Sequence, residues 1–491
     1  MRAFPGPLCP FVVRTSTASF VPSAASRRAD QPPSVLTSPS SERLSFKEKL
    51  AYGLGDTASN FCFQAINIFL AGYYTDVAGL DPKDTGWLMF IVPFAVAFLN
   101  PAIGALADRT NTRWGKFRPY ILWSVLPYGV FAWLLFTSPA GGAGGKLFYA
   151  YLTYTLMLVV YAFINTPYGA LMGVMSPSSE DRTSLNSYRF ACAFLGAFLI
   201  GGFVLDLKVF LTPAGGTEAD GFRNTMAIFA VLSVAIFLFT FWNTRERVAD
   251  PAGPKGSLGQ DLADLKSNGP WLILLFVGIL NLTNVGLRNG AGYYYFKYSV
   301  GNELALGNFN KVGFLCFIAG ALATKFFTAR WPRRSLMIWL TLINGAGMLA
   351  CYFIDPHNLP ALYAANIVAS FAAGPTPAIV WSLYADTADY SEWKHGRRAT
   401  GLLISAMVLG HKLSMALGGA MIGWLLAYHG FVANVEQTPR ALHGIALIFS
   451  LIPGACALGS GLAVFFYPLD EKQVKQIEHD LAARKAGAAP A

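Results

Sequence analysis

The sequence predicts an all-α membrane protein of twelve transmembrane helices arranged as two six-helix bundles. Three observations lead there. Of its 491 residues, 54% are hydrophobic and only 13% are charged, against about 25% charged in soluble domains. Apolar runs of about twenty residues, enough to cross a bilayer, recur down almost the whole chain. The polar stretches between them are short except one, residues 243–268, which divides the runs into six and six.

Taken in order, residues 1–45 come first. They are rich in Ser, Ala, Pro and Arg, and Phe11 to Val13 is too short for a secretory core. A disordered leader, an organelle-type presequence and an artefact of an upstream start codon all fit. The first bundle, residues 46–242, holds spans near 50–75, 86–107, 119–138, 147–174, 185–206 and 224–242. The linker 243–268 carries charge, Pro and Gly. The second bundle, residues 269–468, holds spans near 270–296, 309–328, 335–354, 360–385, 399–428 and 441–467. The tail, residues 469–491, alternates acids and bases and reads as a short solvated helix.

The formal charge is +10. Nucleic acid is not the expected partner, because the basic residues sit between apolar spans and face lipid headgroups. They gather after the second span (Arg109, Arg113, Lys116, Arg118), in the linker, after the eighth span (Arg330, Arg333, Arg334) and after the tenth (Lys394, Arg397, Arg398). That bias places both termini in the cytoplasm, in a bacterial inner membrane. The cysteines form no pair with a metal or disulfide spacing, and the histidines are few and dispersed, so no metal centre or catalytic constellation is expected. The halves echo each other: DRTNTRWGKFRP against ARWPRR, and SPSSEDRTSLNSYR against ADYSEWKHGRRATG. Duplicated halves suit a carrier that rocks about a central site, and a monomer suffices for that.

Polar side chains inside the spans are functional candidates, because lipid cannot satisfy them. Asp56, Asn60, Gln64 and Asn67 share one helical face. Asn165 and Thr166 precede Pro167. Arg189 and Lys412 are central cations without an acid nearby in their own helices. The seventh span adds Asn281, Asn284, Arg288, Asn289 and the tyrosines from Tyr293 to Tyr295. Amides and cations can bond sugar hydroxyls and an aromatic ring can stack on a pyranose, although Arg288 could instead snorkel and the tyrosines could form an interfacial belt. At the loop after the second span, Asp108 with Arg109, Arg113, Lys116 and Arg118 suits a cytoplasmic gate or a lipid anchor. Asp386 and Asp389 with Arg397 and Arg398 suggest a matching latch.

Several segments taken together, YGLGDTASN at 52–60, YYTDVAGL at 73–80, NPAIGALADRTNTRWGKFRPYILW at 100–123, NGAGYYYFKY at 289–298, ADTADYSEWKHGRRATGL at 385–402 and HKLSMALGGA at 411–420, resemble the glycoside–pentoside–hexuronide:cation symporters, the melibiose-carrier branch of the major facilitator superfamily. The resemblance spans residues 46–470. It implies the major facilitator fold and symport of a sugar with a cation, with Arg189 and Lys412 lining the cavity and aiding coupling. It also implies departures. The two carboxylates of the melibiose carrier's second helix correspond to Val96 and Asn100, its fourth-helix Asp to Asn165, its first-helix sugar-binding Asp to Asn60, and its sugar-contacting Trp to Gly169. The usual sodium site is thus stripped of charge, and a proton is the expected coupling ion. Asp56 is the expected carrier of that proton, paired with Arg189 or Lys412, with a purely structural acid as its rival role. A lipid or lysolipid carrier on the same fold and an uncoupled sugar facilitator are the alternatives.

Overall fold

The computed structural model describes residues 44–176, 178–247, 265–395 and 400–487. Ten helices there are long and apolar enough to cross a membrane. In chain order they are α2 (Pro82–Arg109), α4 (Ala143–Met175), α5 (Glu180–Phe210), α6 (Glu218–Asn243), α7 (Gly269–Ser299), α8 (Leu304–Thr328), α9 (Arg333–Phe353), α10 (Leu359–Lys394), α11 (described as a helix over Thr400–Tyr428) and α12 (Pro439–Val464). Two more complete the twelve. The first, α1, runs as Phe46–Ala65 and continues through π-helical turns at Ile66–Leu70 and Tyr73–Val77; its amides make it less apolar. The other, α3 (Arg118–Leu134), is only 17 residues long. A tail helix, α13 (Glu471–Gly487), follows.

Local chemistry sets where the helices start. Ser45 and Glu48 form a capping box at α1. Asp81 caps α2 with Pro82 in the first turn, and Thr217 with Asp220 boxes the start of α6. Asn268 caps α7 by accepting from the Trp271 backbone N–H at 3.1 Å.

The helix pairs reveal the duplication that the loops hint at. In the first half α1 packs on α5 and α6, and α3 on α4 and α6. Six helices later α7 packs on α11 and α12, and α9 on α10 and α12. Across the halves run the seams α2–α11 and α5–α8, with α1 against α7 between them. Both seams close on glycine. A Cβ on Gly423 would lie 2.7 Å from Cα of Gly86, and one on Gly307 would lie 2.9 Å from O of Gly202. Backbone meets backbone at both places, which a side chain would forbid.

The duplicated helices α1 and α7 also end alike, in the π-turns Tyr73–Val77 and Tyr295–Ser299. The end of the bundle where α1 and α7 begin is the near end, and the end where they finish is the far end. The tail differs from the solvated helix expected. Val474, Ile477 and Leu481 are buried against a cluster that includes Tyr467, Leu383 and Ala388. Asp480 accepts from the Trp393 indole at 3.0 Å, and Arg484 donates to the Trp393 carbonyl at 3.0 Å. Its apolar positions fall on one face, so one side docks on α10 while the other stays wet.

Candidate functional site

Between the halves lies a cavity in adjoining compartments that share Leu282 and His411. The first, about 310 Å³, is walled by α1, α2, α4, α7 and α11 and is mostly apolar; Asn67, Asn100, Asn165, His411 and Lys412 interrupt it. The second, about 450 Å³, is walled by Asn60 and Gln64 of α1, by α5, and by polar residues of α7 to α11 that include Asn281, Asn284, Arg288, Asn289, Thr341 and Asn344. A smaller recess of about 120 Å³ continues past Arg288 and Asn289 to Asn366. The two larger compartments match the volumes of small-ligand sites, about 300–1,000 Å³.

Within the second compartment, four buried polar atoms have no hydrogen-bond partner: Oε1 of Gln64, Oδ1 of Asn284, Nη1 of Arg288 and Oγ1 of Thr341. Folded proteins rarely leave such atoms unpaired. These four belong to residues from α1, α7 and α9 that line the same compartment. Arg288 is not at the membrane surface. Its Nη2 donates to Oδ1 of Asn366 at 3.0 Å, and its guanidinium lies 5.2 Å from the Phe449 ring centroid and 5.7 Å from that of Phe309.

The residues singled out by sequence fall into three groups. Asn60, Gln64 and Asn289 line the second compartment; Asn67, Asn165 and Lys412 line the first. Thr166 stands off the wall and donates to Oδ1 of Asn100 at 3.1 Å. Asp56 and Arg189 lie behind the wall and pair with each other, α1 to α5, with the guanidinium 5.4 Å from the Tyr168 ring centroid. Asn60, one turn further along α1, lines the second compartment, and its side-chain amide donates to the main-chain carbonyl of Asp56 at 2.9 Å.

Tyr293 is placed elsewhere. Its hydroxyl donates to Oε1 of Glu218 at 3.2 Å, and Tyr294 and Tyr295 are likewise buried, Tyr295 stacking on Phe449 at 4.3 Å. Tyr293, Tyr294 and Tyr295 line none of the three compartments, so these rings seal the far end and neither stack on a solute there nor form a belt. His411 escaped notice in the sequence. It touches both compartments and bonds the Tyr384 hydroxyl at 3.1 Å. Its one available signal was its place beside Lys412 inside a span.

The far end is where the halves are tied. Lys297 of α7 pairs with Asp76 of α1 at 2.7 Å, and Tyr298 donates to the same carboxylate at 2.7 Å. Asn434, left-handed at φ 58°, lies on the α11–α12 loop; its amide donates to the Asp76 carbonyl at 2.6 Å. Asparagine tolerates that backbone better than most residues. Lys208 bridges Glu218 and Glu303 at 2.8 and 2.7 Å, and Lys311 pairs with Asp206 at 2.8 Å.

At the near end the expected latch takes another form. Among the described residues, the ion pairs there stay within one half: Glu48 with Arg247, Lys49 with Asp181, and Asp386 with Arg333. Asp386 pairs with Arg333; Arg397 and Arg398, the expected partners, lie outside the described residues, and Asp389 makes an interaction of its own. Arg118 donates to the Phe241 carbonyl at 2.6 Å, and the backbone N–H groups of Lys116, Phe117 and Arg118 cradle the Glu246 carboxylate at 2.8 to 3.0 Å. Arg113 lies over the Trp114 ring. Asp108 and Arg109 have no ion-pair partner among the described residues. The ion pairs named here that join the two halves thus lie at the far end, and those named at the near end stay within one half.

The MFS/sugar transport protein family model matches residues 51–471. The chain belongs to that family. A family member of Escherichia coli K12, the inner membrane symporter YicJ, is 32% identical over 447 residues, covering 91% of this chain and 96% of that one. The isoprimeverose transporter of Lactiplantibacillus pentosus is 31% identical over 451 residues, covering 91% and 93%. Among solved structures, the D-xylose–proton symporter aligns with a TM-score of 0.62 at 14% identity, covering 87% of this chain and 99% of that one. That likeness concerns the fold, which is the major facilitator fold. This family member is a multi-pass membrane transporter with two six-helix halves.

Proposed function

We propose that this carrier moves a sugar or glycoside across a bacterial inner membrane by alternating access, as a monomer with both termini cytoplasmic. One observation carries the reading: Asn60, Gln64, Asn281, Asn284, Arg288 and Thr341 bring amide, guanidinium and hydroxyl groups to line one compartment between the halves. Sugar hydroxyls, each both donor and acceptor, complement such a wall. The names of the relatives, an isoprimeverose transporter and a symporter, support it. With Lys and Arg concentrated at the near end, that end is cytoplasmic, and the structure corresponds to the inward-facing state. Asp108, Arg109, Arg113, Lys116 and Arg118 of the first half, and Asp386, Asp389, Arg397 and Arg398 of the second, are then the groups available to close the near end in the opposite state.

The coupling ion in this reading is a proton. The positions of the family's charged sodium site hold Val96, Asn100 and Asn165, all on the wall of the first compartment. Amide oxygens can ligate a cation but cannot neutralise it. Asp56, joined to Arg189 and one helical turn from the cavity-lining Asn60, is the proposed proton carrier. Uptake into proteoliposomes, with a sugar panel and separately imposed proton and sodium gradients, tests both parts. Concentrative uptake driven by the proton gradient alone is expected, and strict sodium dependence would refute it. Replacing Asp56 by Asn should leave counterflow while removing proton-driven accumulation; unchanged accumulation removes Asp56 from the role. Downhill uptake indifferent to both gradients identifies a facilitator.

A second reading has its own observation. The apolar first compartment, between α2 and α11, could house an acyl chain. Transport of a lysolipid in preference to any sugar would favour it.

A further inference from the structure

The duplication exposes a substitution at the centre of the molecule. Counted from Tyr73 and Tyr295, where the matching π-turns begin, the two copies stand 222 residues apart, as Asp76 and Tyr298 within them do. At that separation Gly278 of α7 answers Asp56 of α1, and His411 of α11 answers Arg189 of α5. The contacts agree with the count. Asp56 meets Arg189, and Gly278 meets His411: a Cβ on Gly278 would lie 2.7 Å from the His411 Nε2 and 2.8 Å from the Tyr384 hydroxyl. Each basic residue also has a tyrosine from the corresponding helix beside it. Arg189 has Tyr168 of α4, and His411 has Tyr384 of α10, with ring centroids 6.0 Å apart. The second half thus keeps the place of the ion pair without an acid in it. A permanent guanidinium gives way to an imidazole, whose charge comes and goes near neutral pH.

We infer that His411 is a proton-binding site of the second half, which takes a proton from the cavity and with it reverses its hydrogen bond to Tyr384. This goes beyond the coupling reading, in which Asp56 carries the proton, and does not need it. Unlike Asp56, His411 lines both compartments. The other titratable or charged groups on their walls are Tyr154 and Tyr161 of α4, Arg288 of α7, Tyr384 of α10 and Lys412 beside it on α11. The helices α1, α2, α5, α8 and α9 bring none there, and Asp386, two residues beyond Tyr384, is paired with Arg333. Among the described residues no carboxylate on these walls holds the imidazole in its charged form, so both forms are accessible. Tyr384 supplies the response. With the ring neutral and Nε2 bare, the tyrosine hydroxyl donates to Nε2 across 3.1 Å. A proton added at Nε2 makes that nitrogen the donor, and the hydroxyl hydrogen turns to its other acceptor, the Leu274 carbonyl at 3.5 Å. Leu274 lies about one turn before Gly278 on α7. One proton gained from the cavity therefore keeps the α10–α11 bond with its direction reversed, gives its second acceptor on α7 the hydroxyl hydrogen, and sets a positive charge between the compartments.

The test is a pH titration of the full-length carrier in phospholipid nanodiscs, with carbon-13 at Cε1 of every histidine, read by NMR between about pH 5 and 8. The chain has six histidines, and His411→Gln identifies the resonance in question by its loss. Should that variant not fold, replacing the other histidines one at a time identifies it by elimination. The His411 resonance should pass through one protonation step in this range, and Tyr384→Phe should displace the midpoint by about half a pH unit, because the hydroxyl is bonded differently in the two forms. A resonance that stays at one position across the range overturns the inference and leaves His411 a fixed packing residue. A midpoint indifferent to Tyr384→Phe overturns the reversal of the bond. Asp56→Asn should leave the step in place; its disappearance there would make His411 a reporter of Asp56 and overturn the second site. The titration needs no transported solute, so sodium-driven or gradient-independent uptake would refute the coupling reading and leave this one standing.

Discussion

At the residue scale, Asp76 shows how a single buried carboxylate can set which face of the carrier is closed. Its side chain is fully buried and depends on Lys297 from the other half. Removing one partner of a buried pair costs about 3–5 kcal/mol, and the lower end applies because Lys297 keeps 19% exposure. Lys297→Met should therefore weaken far-end closure by about 3 kcal/mol. Amide hydrogen exchange over Tyr295–Ser299 should then accelerate, with little change at Asn60 or Gln64; unaltered exchange there would show that the pair does not hold the end shut. Sequence alone could not reveal it. Asp76 and Lys297 are 221 residues apart and sit at span ends where charges are ordinary. The polar stripe of Asn60, Gln64 and Asn67 was legible because amides in a membrane span need a protein interior. The direction of Tyr293 was not, because a tyrosine suits a cavity, a seal or an interface equally well.

At the scale of elements, the spans could be read because each apolar run must match bilayer thickness, and even the short α3, Arg118–Leu134, was legible as the run at 119–138. The tail was misjudged. Val474, Ile477 and Leu481 are three apolar residues among many charges, and only the surface of α10 gives that thin stripe something to cover. Ile477→Asp should undock α13 while leaving the membrane helices intact, seen as protease cleavage within Glu471–Gly487. The Trp393 indole holds the Asp480 carboxyl below the usual carboxylate range. The contribution of this contact is complete above that range and lost only as pH falls through the lowered value, so acid should loosen α13, seen as faster protease cleavage within Glu471–Gly487. The α2–α11 seam makes a further prediction. Gly423→Leu leaves no room against Gly86, so far-end closure should fail, and counterflow should drop at least ~10-fold while the folded carrier still extracts as a stable species.

For the whole molecule, ion pairs that cross between the halves at the far end suit the proposed rocking motion of two rigid halves. Labels at Asn111, exposed on the first half, and Lys475, exposed on the docked tail of the second, should report it. The distance between them should shorten when the far end opens. A distance that never changes under transport conditions would contradict alternating access by these halves. The tail serves as a marker because Trp393 ties it to α10.

The paired π-turns carry a lesson about self-recognition. One segment is used twice, at the tips of α1 and α7, but the first copy presents an acid and the second a base. Two first halves brought together would set carboxylate against carboxylate, and two second halves would oppose ammonium groups. Opposite sign in the sibling copies makes each half fit its counterpart and repel its own kind, so the same duplication that builds the carrier also carries a safeguard against mispaired assembly.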